Sequence, residues 1–214
     1  GMAMSGVSFW CYDLGGFYNT GYIGNEERPN IEDYLSSVQM GLWMPLSRAH
    51  GKTPREPWQY GDMALKEVKK WINFRHRLVP YLYHTACQTH QSGIPMIRPL
   101  VMEYPKDPIA KIQNLSYMLG DALLISPGFD RDEYELYLPE GRWQDIESKE
   151  VYEGMTFVHI ENKAFVDGGT SLRVFQKEGT SIPLFAQKEV LHVPAQLWKQ
   201  EDLEFMIFQK KDVD

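Results

Sequence analysis

The sequence predicts an α/β fold in its first part and an all-β fold in the rest of its 214 residues. Up to about residue 93, apolar residues recur every three or four positions, as on the buried face of an amphipathic helix. From about Ile94 onward, apolar and polar residues alternate, which is typical of antiparallel strands. We therefore expect one domain over residues 1–93 and a β-sandwich over residues 94–185. Residues 186–214 are expected to be a linker or the start of a further β domain.

A strand, a helix and a second strand are predicted at the beginning of the chain. The apolar residues 5–10 predict a short strand, which ends near Asp13 and turns into a glycine-rich loop before Phe17. Residues 31–43 carry apolar side chains at helical spacing. Residues 44–51 are too few for a helix and predict a second, buried strand. Strand, helix, strand is the parallel β/α unit.

A long helical segment is predicted next, from Asp62 as its N-cap to Gly93 at its end. Pro80 lies inside this segment. Because proline lacks a backbone N–H and clashes with the preceding turn, it must kink the helix or divide it.

Period-two alternation identifies the strands of the second part. Residues 134–138 and 156–161 alternate apolar with polar side chains, and turn signals at 140–141 and 167–169 separate the strands. This pattern predicts an antiparallel β-sandwich. The same alternation continues at residues 172–175, 181–185 and 203–208.

Composition excludes several classes of function. Acidic residues outnumber basic ones by 29 to 22, so the net charge of −7 does not suit a nucleic-acid-binding protein. No run of 18 apolar residues predicts a membrane span, and no signal-like segment is visible. The two cysteines, Cys11 and Cys87, have no metal or redox spacing, and the histidines are not spaced as ligands. We expect no cofactor and no metal, and a cytoplasmic location.

Four side chains follow the two predicted strands of the first part. Asp13 and Phe17 come after the first, and Arg48 and His50 come at the end of the second. Because parallel strands gather their loops at their carboxyl ends, these side chains are expected on one rim. Polar groups beside an aromatic ring suit a sugar. The alternative is structural: Asp13 forms a turn, Trp10 and Phe17 belong to the core, and Arg48 pairs with Asp13.

A series of sequence blocks resembles glycoside hydrolase family 31. Residues 5–17 are similar to the family's "SG…FW..DIGGF" block, and the later blocks follow in the family's order. Residues 165–179 depart from the family's pattern, which leaves the strand pairing there open. The later blocks are SRAHG (47–51), PREPW (54–58), RLVPYLY (77–83), MIRPL (96–100), MLGD (118–121) and YLPEGRW (137–143).

The resemblance implies the last β/α units of a TIM (β/α)8 barrel followed by the proximal β-sandwich of a retaining α-glycosidase. Its substrates would be α-linked glucosides or xylosides, including oligosaccharides. Such enzymes use two carboxylates about 5 Å apart. In the family both lie upstream of the block containing Asp13. We therefore expect no catalytic residue here, a need for the rest of the parent polypeptide, and no activity of this chain alone.

The resemblance also assigns residues to the pocket of the cleaved sugar. It implies that Asp13, Phe17 and His50 line the pocket, with Trp10 and Arg48 as further candidate substrate contacts. A second hypothesis is a non-catalytic carbohydrate-binding or structural β module. The predicted barrel elements distinguish the two, because a free-standing β module has no need of them.

Overall fold

The computed structural model describes residues 1–17, 29–52, 54–128, 133–161, 172–186 and 199–210. The first part contains β1 (Cys11–Asp13), α1 (Ile31–Gly41), β2 (Leu46–Arg48), α2 (Gly61–Arg77) and α3 (Val79–Ser92). The second part begins with β3 (Ile97–Pro99) and a one-turn helix, α4 (Leu100–Glu103). Its later strands are β4 (Tyr117–Leu119), β5 (Leu123–Pro127), β6 (Glu133–Leu138), β7 (Arg142–Asp145), β8 (Val151–Glu153), β9 (Thr156–Glu161), β10 (Leu172–Lys177), β11 (Thr180–Phe185) and β12 (Leu203–Phe208). Short 3₁₀ turns lie at Ala3–Ser5, Pro57–Tyr60, Ala110–Ile112 and Gln200–Asp202.

β1 and β2 pair in parallel over three residues each, with Asp13 opposite Arg48. The strand predicted at residues 5–10 is wrong, because the strand begins at Cys11. Regular pairing needs a partner of equal length, and β2 offers only three residues. The second strand was predicted to be buried, yet Leu46 is 54% exposed. Among the described residues, β1 and β2 form a sheet of two strands.

The helix α1 confirms the predicted helix and holds β1 in place. Asn30 caps it, since its side-chain oxygen accepts a 2.8 Å hydrogen bond from the backbone N–H of Asp33. A cap of this kind stabilises a helix by about 1 kcal/mol. Tyr34, Leu35 and Val38 form the buried face and pack in one cluster with residues of α2.

The long helical segment is divided at Leu78, as Pro80 predicts. Leu78 ends α2 and precedes α3, which carries Pro80 in its first turn. Gly93 ends α3 with a left-handed φ of 75°, and its N–H donates to the carbonyl of Thr89 at 2.8 Å. Asp62 lies in the first turn of α2 rather than at its N-cap, because the helix already begins at Gly61. There its carboxylate lies at the positive end of the helix dipole.

The second part is antiparallel, as predicted. Six strands form one sheet in the order β3-β4-β5-β10-β7-β8, and two further pairs are β6 with β9 and β11 with β12. β10 lies between β5 and β7, which gives the pairing at residues 172–177. The predicted turn at residues 167–169 lies outside the described residues. After Ile112, the described residues contain strands and 3₁₀ turns but no α-helix.

The two parts share a core. Tyr81 of α3 is 2% exposed, and its hydroxyl donates to the carbonyl of Leu119 at 2.7 Å. Arg77 of α2 donates to the carbonyl of Phe185 at 3.0 Å and forms an ion pair with Glu204. The strand β12 therefore packs with α2 through residues that the sequence placed in a linker or further domain. The boundaries at residues 93 and 185 stay predictions.

Candidate sugar-binding site

The carboxyl ends of β1 and β2 lie side by side and carry four of the five predicted site residues. The N–H of Leu14 donates to the carbonyl of Arg48 at 2.9 Å, so the two strands leave the sheet together. The N–H of Lys52 then donates to the carbonyl of Phe17 at 3.0 Å, which joins the loops that follow. Parallel strands present their side chains at a common rim, and this pair does so.

Asp13 and Arg48 are directly paired, as the structural alternative expects. The Nε of Arg48 donates to Oδ1 of Asp13 at 2.5 Å, with 57% of the Arg48 side chain and 19% of the Asp13 side chain exposed. This hydrogen bond, with the positive charge of Arg48 and that of His50, lowers the pKa of Asp13 against a smaller opposing effect of burial. Asp13 is therefore an ionised acceptor at neutral pH and not a proton donor.

Phe17 and His50 form the second pair on this rim. Their ring centroids are 5.2 Å apart with an angle of 32° between the planes. Phe17 is 50% exposed among the described residues, so it is not part of the core that they form. His50 is also exposed. The pair presents an aromatic face beside a ring nitrogen, next to the carboxylate of Asp13.

Trp10 is not brought to this rim. It precedes β1, at the opposite end of the strand from Asp13, and is half-buried against the cluster that contains Met44 and Leu78. A contact of Trp10 with a sugar stays a prediction, and its placement agrees with the structural alternative.

Two residues that the sequence analysis did not predict as site residues, Arg55 and Tyr34, lie directly behind the rim. Arg55 is 6% exposed and donates from Nε to the carbonyl of Gly16 at 2.9 Å. The hydroxyl of Tyr34 donates to the carbonyl of Arg55 at 2.8 Å. Both hydrogen bonds are accepted by backbone carbonyls, and a sequence pattern does not show which carbonyl a side chain will reach. The position of Arg55 in the PREPW block was the one feature of the sequence that pointed to it.

A second feature of the described chain is separate from the rim. A cavity of about 450 Å³ lies between α1, α2 and the antiparallel sheet, where Trp43, Trp71 and Arg173 line it, and none of the rim residues does. Within the described ranges, no three His, Cys, Asp or Glu side chains are grouped as metal ligands would be. Nor does any helix of the described residues have the length and apolarity needed to cross a membrane.

The parallel β/α portion carries polar and aromatic groups at its strand ends, where (β/α)8 barrels place their functional sites, and it is joined to an antiparallel β domain. Residues 1–85 match the family 31 glycosyl hydrolase TIM-barrel domain, and residues 93–189 match the family 31 C-terminal domain. The chain belongs to glycosyl hydrolase family 31.

Relatives of this family align along most of the chain. Neutral alpha-glucosidase AB of Mus musculus is 32% identical over 189 residues, which are 85% of this chain and 19% of that protein. The alpha-xylosidase of Saccharolobus solfataricus is 31% identical over 86% of this chain and 25% of its own length. The chain thus spans a quarter or less of the length of these relatives.

A solved structure of the same family has a similar fold. The family 31 dextranase of Flavobacterium johnsoniae, complexed with glucose, superimposes with a TM-score of 0.80 at 28% identity. The match covers 98% of this chain and 25% of the dextranase. The predicted combination of a partial barrel with a β-sandwich is therefore confirmed.

Proposed function

We propose that this chain forms part of the sugar pocket of a retaining α-glycosidase that hydrolyses α-linked glucosides or xylosides. The observation that carries the proposal is the convergence of Asp13, Arg48, Phe17 and His50 at the ends of two adjacent parallel strands. The relatives support the substrate class, because they include an alpha-glucosidase and an alpha-xylosidase.

The chemistry of the rim fits a pyranose ring. A sugar presents hydroxyl groups around its edge and apolar C–H groups on its faces. The carboxylate of Asp13 accepts hydrogen bonds from hydroxyls, and a ring nitrogen of His50 donates or accepts one. The exposed face of Phe17 packs against the apolar C–H groups. Arg48 holds the Asp13 carboxylate ionised and oriented.

The two catalytic carboxyl groups are proposed to come from other residues of the parent polypeptide. Retaining hydrolysis needs a nucleophilic carboxylate and a carboxylic acid about 5 Å apart. A second carboxylate beside Asp13 would raise its pKa by repulsion, whereas Arg48 and His50 both lower it. Asp13 is therefore not the carboxylic acid, and its direct hydrogen bond with Arg48 suits binding and ordering of the sugar. The isolated chain is proposed to be inactive.

The alternative of a free-standing β module has less support. It does not account for the parallel pairing of β1 with β2 or for the barrel-domain match over residues 1–85. A β module would also need its ligand groups in the antiparallel part, whereas the candidate sugar-binding groups lie on the β1–β2 rim.

The test compares the isolated chain with the complete polypeptide on an aryl α-glucoside and an aryl α-xyloside. We expect the complete polypeptide to release the α-anomer first, as proton NMR of the product detects, and the isolated chain to release no aryl alcohol above a buffer blank. Turnover by the isolated chain, or release of the β-anomer first, would overturn the proposal.

A further inference from the structure

Arg55 lies buried between the two loops that carry the aromatic pair of the rim. One loop follows β1 and carries Phe17. The other follows β2, contains His50 and leads to Arg55. The side chain of Arg55 crosses from the second loop to the first, where its Nε donates to the carbonyl of Gly16 at 2.9 Å.

The glycines around Arg55 leave room for this crossing. A Cβ on Gly51 would lie 2.9 Å from Cγ of Arg55, which is closer than real Cβ atoms approach. A Cβ on Gly15 would lie 2.8 Å from the ring of Tyr34 and 3.2 Å from Cδ of Arg55. Gly15 also has a φ of 79°, which disfavours any side chain there. The two loops are thus packed directly around the Arg55 side chain.

Tyr34 fixes the backbone of Arg55 to the helix α1. Its hydroxyl donates to the carbonyl of Arg55 at 2.8 Å, and its ring stacks on Tyr60 with centroids 3.9 Å apart. Only 2% of Tyr34 is exposed. We call Arg55 and Tyr34 the loop clamp. It connects the rim to the packed helical layer below.

We propose that Arg55 is a positioning residue for the sugar pocket, which sets the distance between Phe17 and His50 without touching the sugar. This inference rests on the proposed function of the rim. Within the part of the chain that the structure describes, Phe17 and His50 are exposed, and the contacts beneath them hold their loops. Together with the bond from Lys52 to the Phe17 carbonyl, the clamp ties their loops together.

Loss of the clamp has a predictable effect on catalysis. Without the guanidinium, the carbonyl of Gly16 loses its donor and a buried space opens between the loops. A displacement of about 1 Å in a catalytic pocket costs about 100-fold in rate. We therefore expect Arg55→Met to lower kcat/KM of the complete polypeptide about 100-fold on an aryl α-glucoside. Arg55→Lys keeps the charge but lacks the planar group, so it should recover only part of the loss.

Arg98 provides a matched control in the β domain. It is 8% exposed and donates to the carbonyl of Pro95 at 3.0 Å, much as Arg55 donates to that of Gly16. Arg98→Met removes a similarly buried guanidinium away from the rim. We expect it to lower the melting temperature but to leave kcat/KM per folded molecule within about threefold of the wild type, since surfaces remote from the pocket do not set its geometry.

A second measurement does not depend on activity. The proton NMR signals of the His50 ring report the nearby Phe17 ring, 5.2 Å away. In this chain, we expect Arg55→Met to shift the His50 signals and Arg98→Met to leave them in place. Tyr34→Phe, which removes only the hydroxyl and keeps the ring stack, should shift them in the same direction and serves if Arg55→Met does not fold.

The outcomes separate the two proposals. If His50 does not move in either clamp variant, or moves equally in Arg98→Met, Arg55 is a structural residue and the inference is overturned. If His50 moves but kcat/KM is unchanged, the positioning of His50 stands and its proposed role in the sugar pocket is overturned. Movement of His50 together with the loss of kcat/KM supports both.

Discussion

At the ends of β1 and β2, half of Phe17 and more than half of the Arg48 side chain face solvent, whereas Trp143 and Phe175 of the β domain are fully enclosed. The rim is held by a few directed hydrogen bonds over a buried clamp. The β domain is held by a continuous apolar core. A substitution on the rim should therefore change binding and rate with little loss of stability, and one in the β core should do the reverse.

The largest effect is expected for Trp143→Ala in the β core. Trp143 has 0% exposure, and its indole N–H donates to the carbonyl of Pro139 at 2.8 Å. The change leaves a cavity and an unpaired carbonyl, so the free energy of unfolding should fall by about 3–5 kcal/mol. Urea unfolding measures this. Trp58→Ala is the control, because Trp58 is 62% exposed and its loss should change stability by no more than about 0.5 kcal/mol.

The second prediction is for the rim, where a substitution should lower the rate and leave stability nearly unchanged. His50→Ala, in the complete polypeptide and corrected for the folded fraction, should lower kcat/KM at least about 100-fold. Hydrogen bonds to the sugar hydroxyls tighten as charge develops in an oxocarbenium-like transition state, so the loss should appear in kcat. The melting temperature should change little because His50 is exposed. Retention of more than about a third of wild-type kcat/KM would assign His50 a structural role.

Asp13→Asn tests whether the charge of the Asp13–Arg48 pair orders the site. The shape of the side chain is kept, but Arg48 loses its carboxylate partner. We expect a loss of kcat/KM similar to that of His50→Ala, with a greater effect on folding because Asp13 precedes the tight turn at Gly15 and Gly16. Arg48→Met is the companion variant. If it has no effect while Asp13→Asn does, Asp13 acts on the sugar directly rather than through the pair.

The sequence predicted the elements whose pattern is local. The strands at residues 156–161 and 203–208 have the predicted bounds. In β9, buried Val158 and Ile160 alternate with exposed residues, because successive side chains point to opposite faces of a sheet. The strand at residues 5–10 was misplaced because its apolar content suits a strand, while strand formation also needs a partner, and the partner β2 begins opposite Cys11.

The site was predictable where chain position determines geometry. Asp13 and Arg48 end adjacent parallel strands, so their pairing follows from the topology. Arg55 and Tyr34 were not predictable in this way, because their partners are backbone carbonyls brought near by the fold of two loops.

The smallest effect is expected at an exposed charge cluster of the β domain. On the outer face of β6 and β9, Nδ1 of His159 lies 2.9 Å from Glu135 and Nε2 lies 3.5 Å from Glu133. The hydrogen bond with Glu135, and the charges of Glu135, Glu133 and Glu161, raise the pKa of His159. The His159 side chain is 52% exposed, and this cluster lies on the β domain rather than on the rim.

The His159 cluster and the Asp13–Arg48 pair should respond to pH in opposite directions. A histidine whose pKa is raised by folding stabilises the protein fully below its unfolded pKa of about 6.5, and this contribution is lost as pH rises through the folded pKa. For Asp13, whose pKa is lowered, the contribution is present above the unfolded pKa of about 3.9 and is lost as pH falls through the folded pKa.

His159→Gln therefore tests whether an exposed charge cluster of the β domain affects stability alone, where the expected effect is smallest. Gln keeps a hydrogen-bonding side chain but cannot take the proton that the three glutamates stabilise. In urea unfolding of this chain, we expect the variant to be less stable than the wild type at about pH 5.5, below the unfolded pKa, and the difference to shrink as the pH rises through the raised folded pKa of His159. Because the group is exposed, the difference should also shrink in high salt. A difference of equal size over this pH range would mean that His159 contributes through packing alone, and any change in kcat/KM of the complete polypeptide would contradict the separation between the β domain and the rim.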